Sequence, residues 1–176
     1  MKAAATHGAI NNMEILEIIR SRRSIREYAE DIPKDEEIEK ILEAGRWAPS
    51  GLNNQPWRFL CIVDKAKKDG LAAFTKYGKI IKDAPMALVV CMDVSDSYNR
   101  DKDLMAIGAC IENMLLEAHA LGLGACWLGE ILNKKGEVAK YLKLDADLEL
   151  TAVLALGKPE EAITESCRKN LKNLMI

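Results

Sequence analysis

The sequence predicts an α+β fold with about four strands and five or six helices. Residues 86–92 form an apolar run after Asp83-Ala84-Pro85, and residues 148–156 alternate and are rich in residues that favour strands, which indicates two strands. Residues 101–121 instead repeat apolar side chains at helical spacing. Because such stretches alternate along 176 residues without repeats or a linker, we expect one domain at residues 13–176, after a flexible tail at residues 1–12.

The first half of the chain is predicted to be helical on both sides of one loop and one strand. Apolar residues recur at helical spacing in residues 13–22 and 35–47. Residues 48–56 are rich in proline, glycine, serine and asparagine, which predicts a loop. Residues 59–63 are apolar with a β-branched bias and are predicted to form a strand, and residues 65–74 a further helix.

The second half is organised around the long helix predicted at residues 101–121. Two glycines end this helix, residues 125–128 form a short strand, and residues 133–142 form a helix capped by Asn133. The long helix is apolar on most of its surface, which predicts that most of its surface is buried. We expect it to pack against its own core and against a partner subunit. A core helix in a monomer is the alternative.

Composition and charge narrow the class of protein. Apolar residues make up 49% of the chain and charged residues 30%, as in ordinary globular domains. A net charge of −2 gives no general attraction to nucleic acid or anionic membranes. No apolar run approaches the roughly 20 residues that span a bilayer, and the first residues lack the apolar core of a signal peptide. We therefore expect a cytoplasmic protein with neither membrane nor nucleic acid as a partner.

The five cysteines show no metal-binding or disulfide pattern. Their number is odd, and the closest two are sixteen residues apart. Four of the five lie among apolar residues, so buried, reduced thiols are predicted, and no metal site is expected. The five are Cys61, Cys91, Cys110, Cys126 and Cys167.

Common catalytic motifs are absent from the sequence. There is no Walker loop, no His-Glu-x-x-His and no Gly-x-Ser-x-Gly. Gly122-Leu-Gly124 is half of a dinucleotide fingerprint, but the third glycine would fall at Trp127 and a strand follows, which excludes a Rossmann fold. The only histidines are His7 and His119, so a catalytic cysteine has little prospect of a base. Either the protein is not an enzyme, or a cofactor carries the reaction.

Three segments are candidates for binding such a cofactor. Ser21-Arg22-Arg23-Ser24-Ile25-Arg26 combines three guanidinium groups with two hydroxyls, a set suited to phosphate, although these cations could also complement a helix C-terminus. Residues 49–57 carry amide side chains between two prolines, which suits the edge of a heterocycle but also a solvated turn. In residues 125–130 a strand ends at a glycine, where the backbone can approach a flat ligand closely. The alternative is that this segment is only a strand–turn–helix junction.

Taken together, these segments resemble the nitroreductase family of flavoenzymes over about residues 13 to 172. The motifs that carry the resemblance are Arg22-Arg23-Ser24-Ile25-Arg26, Ala48-Pro49-Ser50-Gly51-Leu52-Asn53-Asn54-Gln55-Pro56-Trp57, Asp83-Ala84-Pro85, Gly122-Leu-Gly124-Ala-Cys-Trp-Leu-Gly129 and a late basic pair. Two positions depart from the family pattern. Tyr77-Gly78-Lys79-Ile80 stands where larger members have an Asn/Lys pair, and Glu130 is displaced by one position from the family's glutamate.

The resemblance implies a central, mainly antiparallel sheet flanked by helices, in an intertwined homodimer with two FMN sites at its interface. By motif matching, the FMN phosphate and ribityl chain would contact Arg22, Arg23, Ser24 and Arg26, with Arg168 and Lys169 as a C-terminal basic pair for the phosphate. Pro49, Ser50, Gly51 and Asn53 would reach the flavin from the other subunit, and the backbone of Leu128 and Gly129 would face the flavin N5 atom.

The resemblance also implies a ping-pong reaction in which NADH or NADPH reduces the flavin and a nitroaromatic, quinone or similar small-molecule acceptor takes two electrons. Other flavin chemistry, such as enone reduction, dehalogenation or free-flavin reduction, remains open, as does a flavin-free scaffold. A nucleic-acid contact by the same arginines is a further alternative, but acidic residues surround them.

Overall fold

The fold is built on a four-stranded antiparallel sheet. The computed structural model describes residues 14–160 and 166–176, so the tail predicted at residues 1–12 lies outside the described residues. The strands are β1 (Trp57–Ile62), β2 (Met86–Asp93), β3 (Gly124–Leu128) and β4 (Leu148–Gly157). Their order across the sheet is β1-β2-β4-β3, and every neighbouring pair is antiparallel. The predicted α+β fold with a mainly antiparallel sheet is confirmed.

Helices cover both faces of the sheet. They are α1 (Ile15–Ser21), α2 (Asp35–Arg46), α3 (Lys65–Ala72), α4 (Gly78–Asp83), α5 (Arg100–Ala120) and α6 (Lys135–Leu142). Successive strand residues point to opposite faces, so the sheet contributes to two cores. Ile41 of α2 and Ile111 of α5 lie in one core, and Leu71 of α3 and Ile81 of α4 lie in the other.

The long helix α5 is the main element of the first core. Ile107, Ile111 and Met114 are almost fully buried, and each such side chain stabilises the fold by roughly 1.5–3 kcal/mol. Its burial against the core is therefore confirmed. Met105, on the opposite side of the helix, is 74% exposed, and packing of this side against a partner subunit stays a prediction. In the described part of the chain, α5 and the other helices are too short or too polar to cross a membrane.

Several details differ from the sequence prediction. Helix α4 was not expected, because its six residues are too few to show a helical period. Asn133 is not the cap of α6. The cap is Lys134, because a short 3-10 helix (Glu130–Lys134) comes between β3 and α6. Cys61 is exposed, because it lies on the edge strand β1, whereas Cys91, Cys110 and Cys126 are buried as predicted.

Candidate functional site

The basic segment at residues 22–26 is fixed to the start of β3. Ser24 pairs with Ala125 in a parallel β-bridge, and the Ile25 N–H donates to the Ala125 carbonyl at 3.0 Å. Ile25 packs closely on Gly124, where a Cβ atom would lie only 2.7 Å from the Ile25 Cβ. The glycine therefore allows the close approach, which the sequence alone did not reveal. The anion-binding residues predicted from the motif are thus held beside β3.

Arg22 is a largely buried cation of this segment, and it pairs with Glu112 of α5. Its side chain is only 18% exposed, and its Nε lies 3.7 Å from Glu112 Oε1 on α5, too far for a hydrogen bond. This Nε is buried without a hydrogen-bond partner. A buried, unsatisfied donor costs free energy, so the site fits a ligand that brings acceptor oxygens. The neighbouring Arg23 donates to the Arg20 and Arg22 carbonyls, and Arg26 donates to the Ser24 carbonyl.

His119 of α5 approaches the same segment, although sequence analysis gave it no role. Its Nε2 lies 2.7 Å from Ser21 Oγ. Burial, followed by the positive charges of Arg22 and Arg23, lowers the pKa of His119 from its ordinary value. The imidazole is therefore kept neutral next to two guanidinium groups.

The loop between α2 and β1 is held in a strained conformation. Leu52, Asn53 and Gln55 all have left-handed backbone angles, with φ of 56°, 55° and 48°. Such a conformation costs of order 1–3 kcal/mol for each non-glycine residue. Ser50 stabilises the loop from within, because its Oγ accepts from the Gln55 N–H at 3.0 Å and its carbonyl accepts from the Asn53 N–H at 3.1 Å.

Two further contacts attach the loop to the rest of the fold. The Asn54 side-chain amide donates to Asp103 Oδ1 at 2.9 Å and to the Asp96 carbonyl at 3.0 Å. Arg58 of β1 donates to the Gln55 carbonyl at 3.3 Å and forms ion pairs with Asp93 and Asp96. Asn54 and Arg58 were not among the predicted site residues, because these contacts join parts of the chain that lie far apart in sequence.

The end of β3 forms an open surface next to a polar contact. Leu128 is buried and Gly129 is exposed, with no heavy atom within 4 Å of a Cβ built on Gly129. Glu130 Oε2 accepts from Thr75 Oγ1 at 2.5 Å and from the Lys76 N–H at 3.2 Å. The hydrogen bond from Thr75 is the main cause that lowers the pKa of Glu130. The segment between α3 and α4 is thereby attached next to Gly129.

The structure places the two sets of residues predicted to contact the flavin ring at opposite edges of the sheet. Loop residues Pro49, Ser50, Gly51 and Asn53 precede β1, whereas Leu128 and Gly129 end β3 at the opposite edge of the sheet. Three strand spacings, or roughly 14 Å, lie between the two edges. The register places both groups toward the same end of the sheet. That the loop serves the flavin of another subunit stays a prediction.

The C-terminal basic pair stands apart from these groups. Arg168 and Lys169 are exposed, and the Arg168 side chain donates to its own neighbours, Ser166 and the Cys167 carbonyl. Their predicted contact with a phosphate stays a prediction. Across residues 14–160 and 166–176, no group of three His, Cys, Asp or Glu residues is arranged to hold a metal ion.

Comparison with known proteins identifies the family. A profile of the Nitroreductase family matches residues 19–77 and 72–158. A provisionally named nitroreductase from Desulfovibrio desulfuricans, solved in complex with FMN, is 47% identical, with a TM-score of 0.89 over 94% of this chain and 96% of that one.

Two archaeal relatives are provisionally named NADH dehydrogenase/NAD(P)H nitroreductase. The protein from Methanothermobacter thermautotrophicus is 32% identical over 88% of this chain and 82% of its own length. That from Archaeoglobus fulgidus is 36% identical over 84% of this chain and 87% of its own length. The family profile matches most of the chain, and both relatives are more than 30% identical to it over most of their length. The chain therefore belongs to the nitroreductase family.

Proposed function

We propose that this protein is an FMN-dependent NAD(P)H oxidoreductase that acts as a homodimer and reduces nitroaromatics, quinones or similar electron-poor acceptors. FMN in the D. desulfuricans structure and the NAD(P)H in the names of the archaeal relatives support the cofactor and the electron donor. The observation that carries the proposal is the buried, unsatisfied Arg22 Nε in a basic segment fixed beside β3.

The basic segment fits the phosphate end of FMN. We assign the phosphate and ribityl chain to Arg22, Arg23, Ser24 and Arg26, because guanidinium groups and a hydroxyl form charge-assisted hydrogen bonds to phosphate oxygens. An oxygen of this kind would give the Arg22 Nε the acceptor that it lacks. Arg168 and Lys169 are proposed as a second basic pair at the same phosphate.

The ring of the cofactor is assigned to the two edges of the sheet. The backbone of Leu128 and Gly129 would face the reactive edge of the ring, where the glycine leaves space for a flat ligand. Pro49, Ser50, Gly51 and Asn53 of the partner subunit would contact the same ring. When bound, FMN supplies two-electron transfer between NAD(P)H and the acceptor. We assign no side chain as a general acid, because water can reach an open site, and donor and acceptor are proposed to occupy that site in turn.

Exposed apolar surface supports the homodimer. Large apolar side chains are exposed at both ends of the described chain and on α5, where a partner could cover them. They include Ile15, Leu16, Ile19, Met105, Leu171, Leu174, Met175 and Ile176. A groove of about 1030 Å³ also runs between α2 and the edge strand β1, lined in part by Leu42, Trp57 and Phe59. The five cysteines are free thiols, which supports a reducing, cytoplasmic location.

Spectroscopy and hydrodynamics test the proposal directly. Purified protein reconstituted with FMN should absorb near ~450 nm and lose this band when NADH or NADPH is added without oxygen. Light scattering should give twice the mass of the chain, and turnover with a panel of nitroaromatics, quinones, enones and free flavins should identify the acceptor class. A folded monomer that does not bind FMN would overturn the proposal.

A further inference from the structure

Asp103 is an ionisable side chain that is fully buried close to the loop at residues 49–56. It lies in the first turn of α5, where its neighbour Asp101 is exposed, yet Asp103 itself is 0% exposed. Burying a carboxylate is costly unless hydrogen bonds replace its hydration. The groups that donate hydrogen bonds to Asp103 therefore decide whether it stays charged.

The two carboxylate oxygens of Asp103 bind two different parts of the chain. Oδ2 accepts from Ser97 Oγ at 2.6 Å and from the backbone N–H groups of Tyr98 and Asn99 at 3.2 Å each. Oδ1 accepts from the side-chain amide of Asn54 at 2.9 Å. Burial by itself raises the pKa of Asp103, but these hydrogen bonds outweigh it and hold the pKa below its ordinary value. Asp103 is therefore a charged acceptor that joins the loop to the segment preceding α5.

Asp103 and the residues that it binds contact the loop at Asn54 and at Gly51. Asn54 lies between Asn53 and Gln55, both of which have left-handed backbones. Tyr98, whose backbone Asp103 holds, packs on Gly51, where a Cβ atom would lie 1.9 Å from the Tyr98 hydroxyl oxygen. A strained backbone persists only where its surroundings over-determine it, and these contacts supply that restraint.

We infer that Asp103 is a positioning residue, which holds the loop at residues 49–56 in the conformation that binds flavin by acting through Asn54 and Tyr98. The inference rests on the proposed function, because it takes the loop to be part of the FMN site. Asn54 lies between Asn53 and Gln55 in the loop and makes a part-buried hydrogen bond to Asp103. The strained loop is thus specified by a residue about fifty positions away in sequence.

The test compares Asp103→Asn and Asn54→Ala, singly and together, by FMN titration, visible circular dichroism of the bound flavin, and kcat and KM. Loss of a hydrogen bond to a charged group should raise the FMN Kd at least about tenfold in each single variant. Because both act through one contact, the double variant should bind no more weakly than the weaker single variant. The dichroism of residual bound flavin should also change.

Two controls separate positioning from general destabilisation. Asp101→Asn removes an exposed charge from the same turn, and Ile111→Val lowers the stability of the α5 core without touching the loop; both should keep the wild-type Kd and dichroism. If Asp103→Asn does not fold, Asn54→Ala decides the matter alone. Wild-type Kd and dichroism in Asn54→Ala, or additive effects in the double variant, would overturn the inference and leave the proposed function standing. Failure of the wild-type protein to bind FMN would overturn both.

Discussion

The Thr75 hydroxyl donates a 2.5 Å hydrogen bond to the Glu130 carboxylate and thereby joins the segment after α3 to the end of β3. The Lys76 N–H donates to the same carboxylate oxygen at 3.2 Å, so two donors from one turn bind a single acceptor. Gly129, which immediately precedes Glu130, is the residue that we place at the reactive edge of the flavin. A contact that fixes Glu130 therefore also fixes one wall of the proposed site.

Replacing Thr75 by valine should lower the melting temperature at neutral pH and should weaken FMN binding. The stability effect should depend on pH, because the folded-state pKa of Glu130 is lowered from 4.5. A depressed carboxyl pKa stabilises the fold above the unfolded pKa, and this stabilisation is lost as the pH falls through the folded pKa. Melting curves of wild type and Thr75→Val should therefore approach each other as the pH falls from 4.5 through the lower folded-state pKa. Melting temperatures that differ equally at pH 7 and pH 3 would contradict this account.

Removing the Arg22 side chain should weaken FMN binding by roughly 1.5–3 kcal/mol, the value of a charge-assisted hydrogen bond to phosphate. The substitution also removes the ion pair with Glu112 and a largely buried side chain, so the melting temperature of the FMN-free protein is measured alongside to separate stability from affinity. Arg20→Ala is the matched control, since Arg20 is an exposed arginine at the end of the neighbouring helix α1. Isothermal titration of both variants with FMN tests the assignment, which fails if Arg22→Ala and Arg20→Ala bind equally well.

The sequence predicted most of the elements because most of them are long enough to show a period. The helix expected at residues 101–121 is α5, and the strand expected at residues 148–156 is β4, each within one residue at either end. Helix α4 was not predicted, because its six residues complete fewer than two turns. The strand expected at residues 59–63 begins two residues earlier, since Trp57 follows a loop proline and carries no alternation of its own.

The candidate site was predictable as motifs but not as contacts. Three arginines in six residues indicate an anion site, whereas the close packing of Ile25 on Gly124 that fixes them depends on two segments a hundred residues apart. The same holds for His119, which meets Ser21 only because α1 lies against α5. Spacing along the chain carries no information about such pairs. Only the fold brings them together.

His119 should titrate below its ordinary pKa of 6.5, because burial and the charges of Arg22 and Arg23 disfavour the imidazolium ion. Its folded-state pKa is thus lower than its unfolded-state pKa, so protonation favours unfolding. The fold should lose stability as the pH falls through 6.5 toward the folded pKa, and His119→Gln should remove this part of the pH dependence. Proton NMR of the two histidines, with His7→Gln to assign the signals, measures the pKa. A value at or above 6.5 for His119 would contradict the proposed geometry.

Gly124→Ala should destabilise the fold and displace the basic segment at once. A Cβ atom at Gly124 would lie 2.7 Å from Ile25 Cβ, closer than van der Waals contact, so Ile25 and its hydrogen bond to Ala125 must shift. Overpacking of this kind costs typically about 1–3 kcal/mol of folding free energy. Gly136→Ala in α6 is the matched control, because nothing lies within 4 Å of its Cβ and alanine favours the helix.

Chemical denaturation gives the two free energies of unfolding, and FMN titration gives the two affinities. We expect Gly124→Ala to lose both stability and FMN affinity, because the residues assigned to the phosphate are carried by the segment that moves. Gly136→Ala should match or exceed the wild-type stability and keep its affinity. If Gly124→Ala is destabilised yet binds FMN as the wild type does, the phosphate is held elsewhere, and the C-terminal pair Arg168 and Lys169 becomes the first alternative to test.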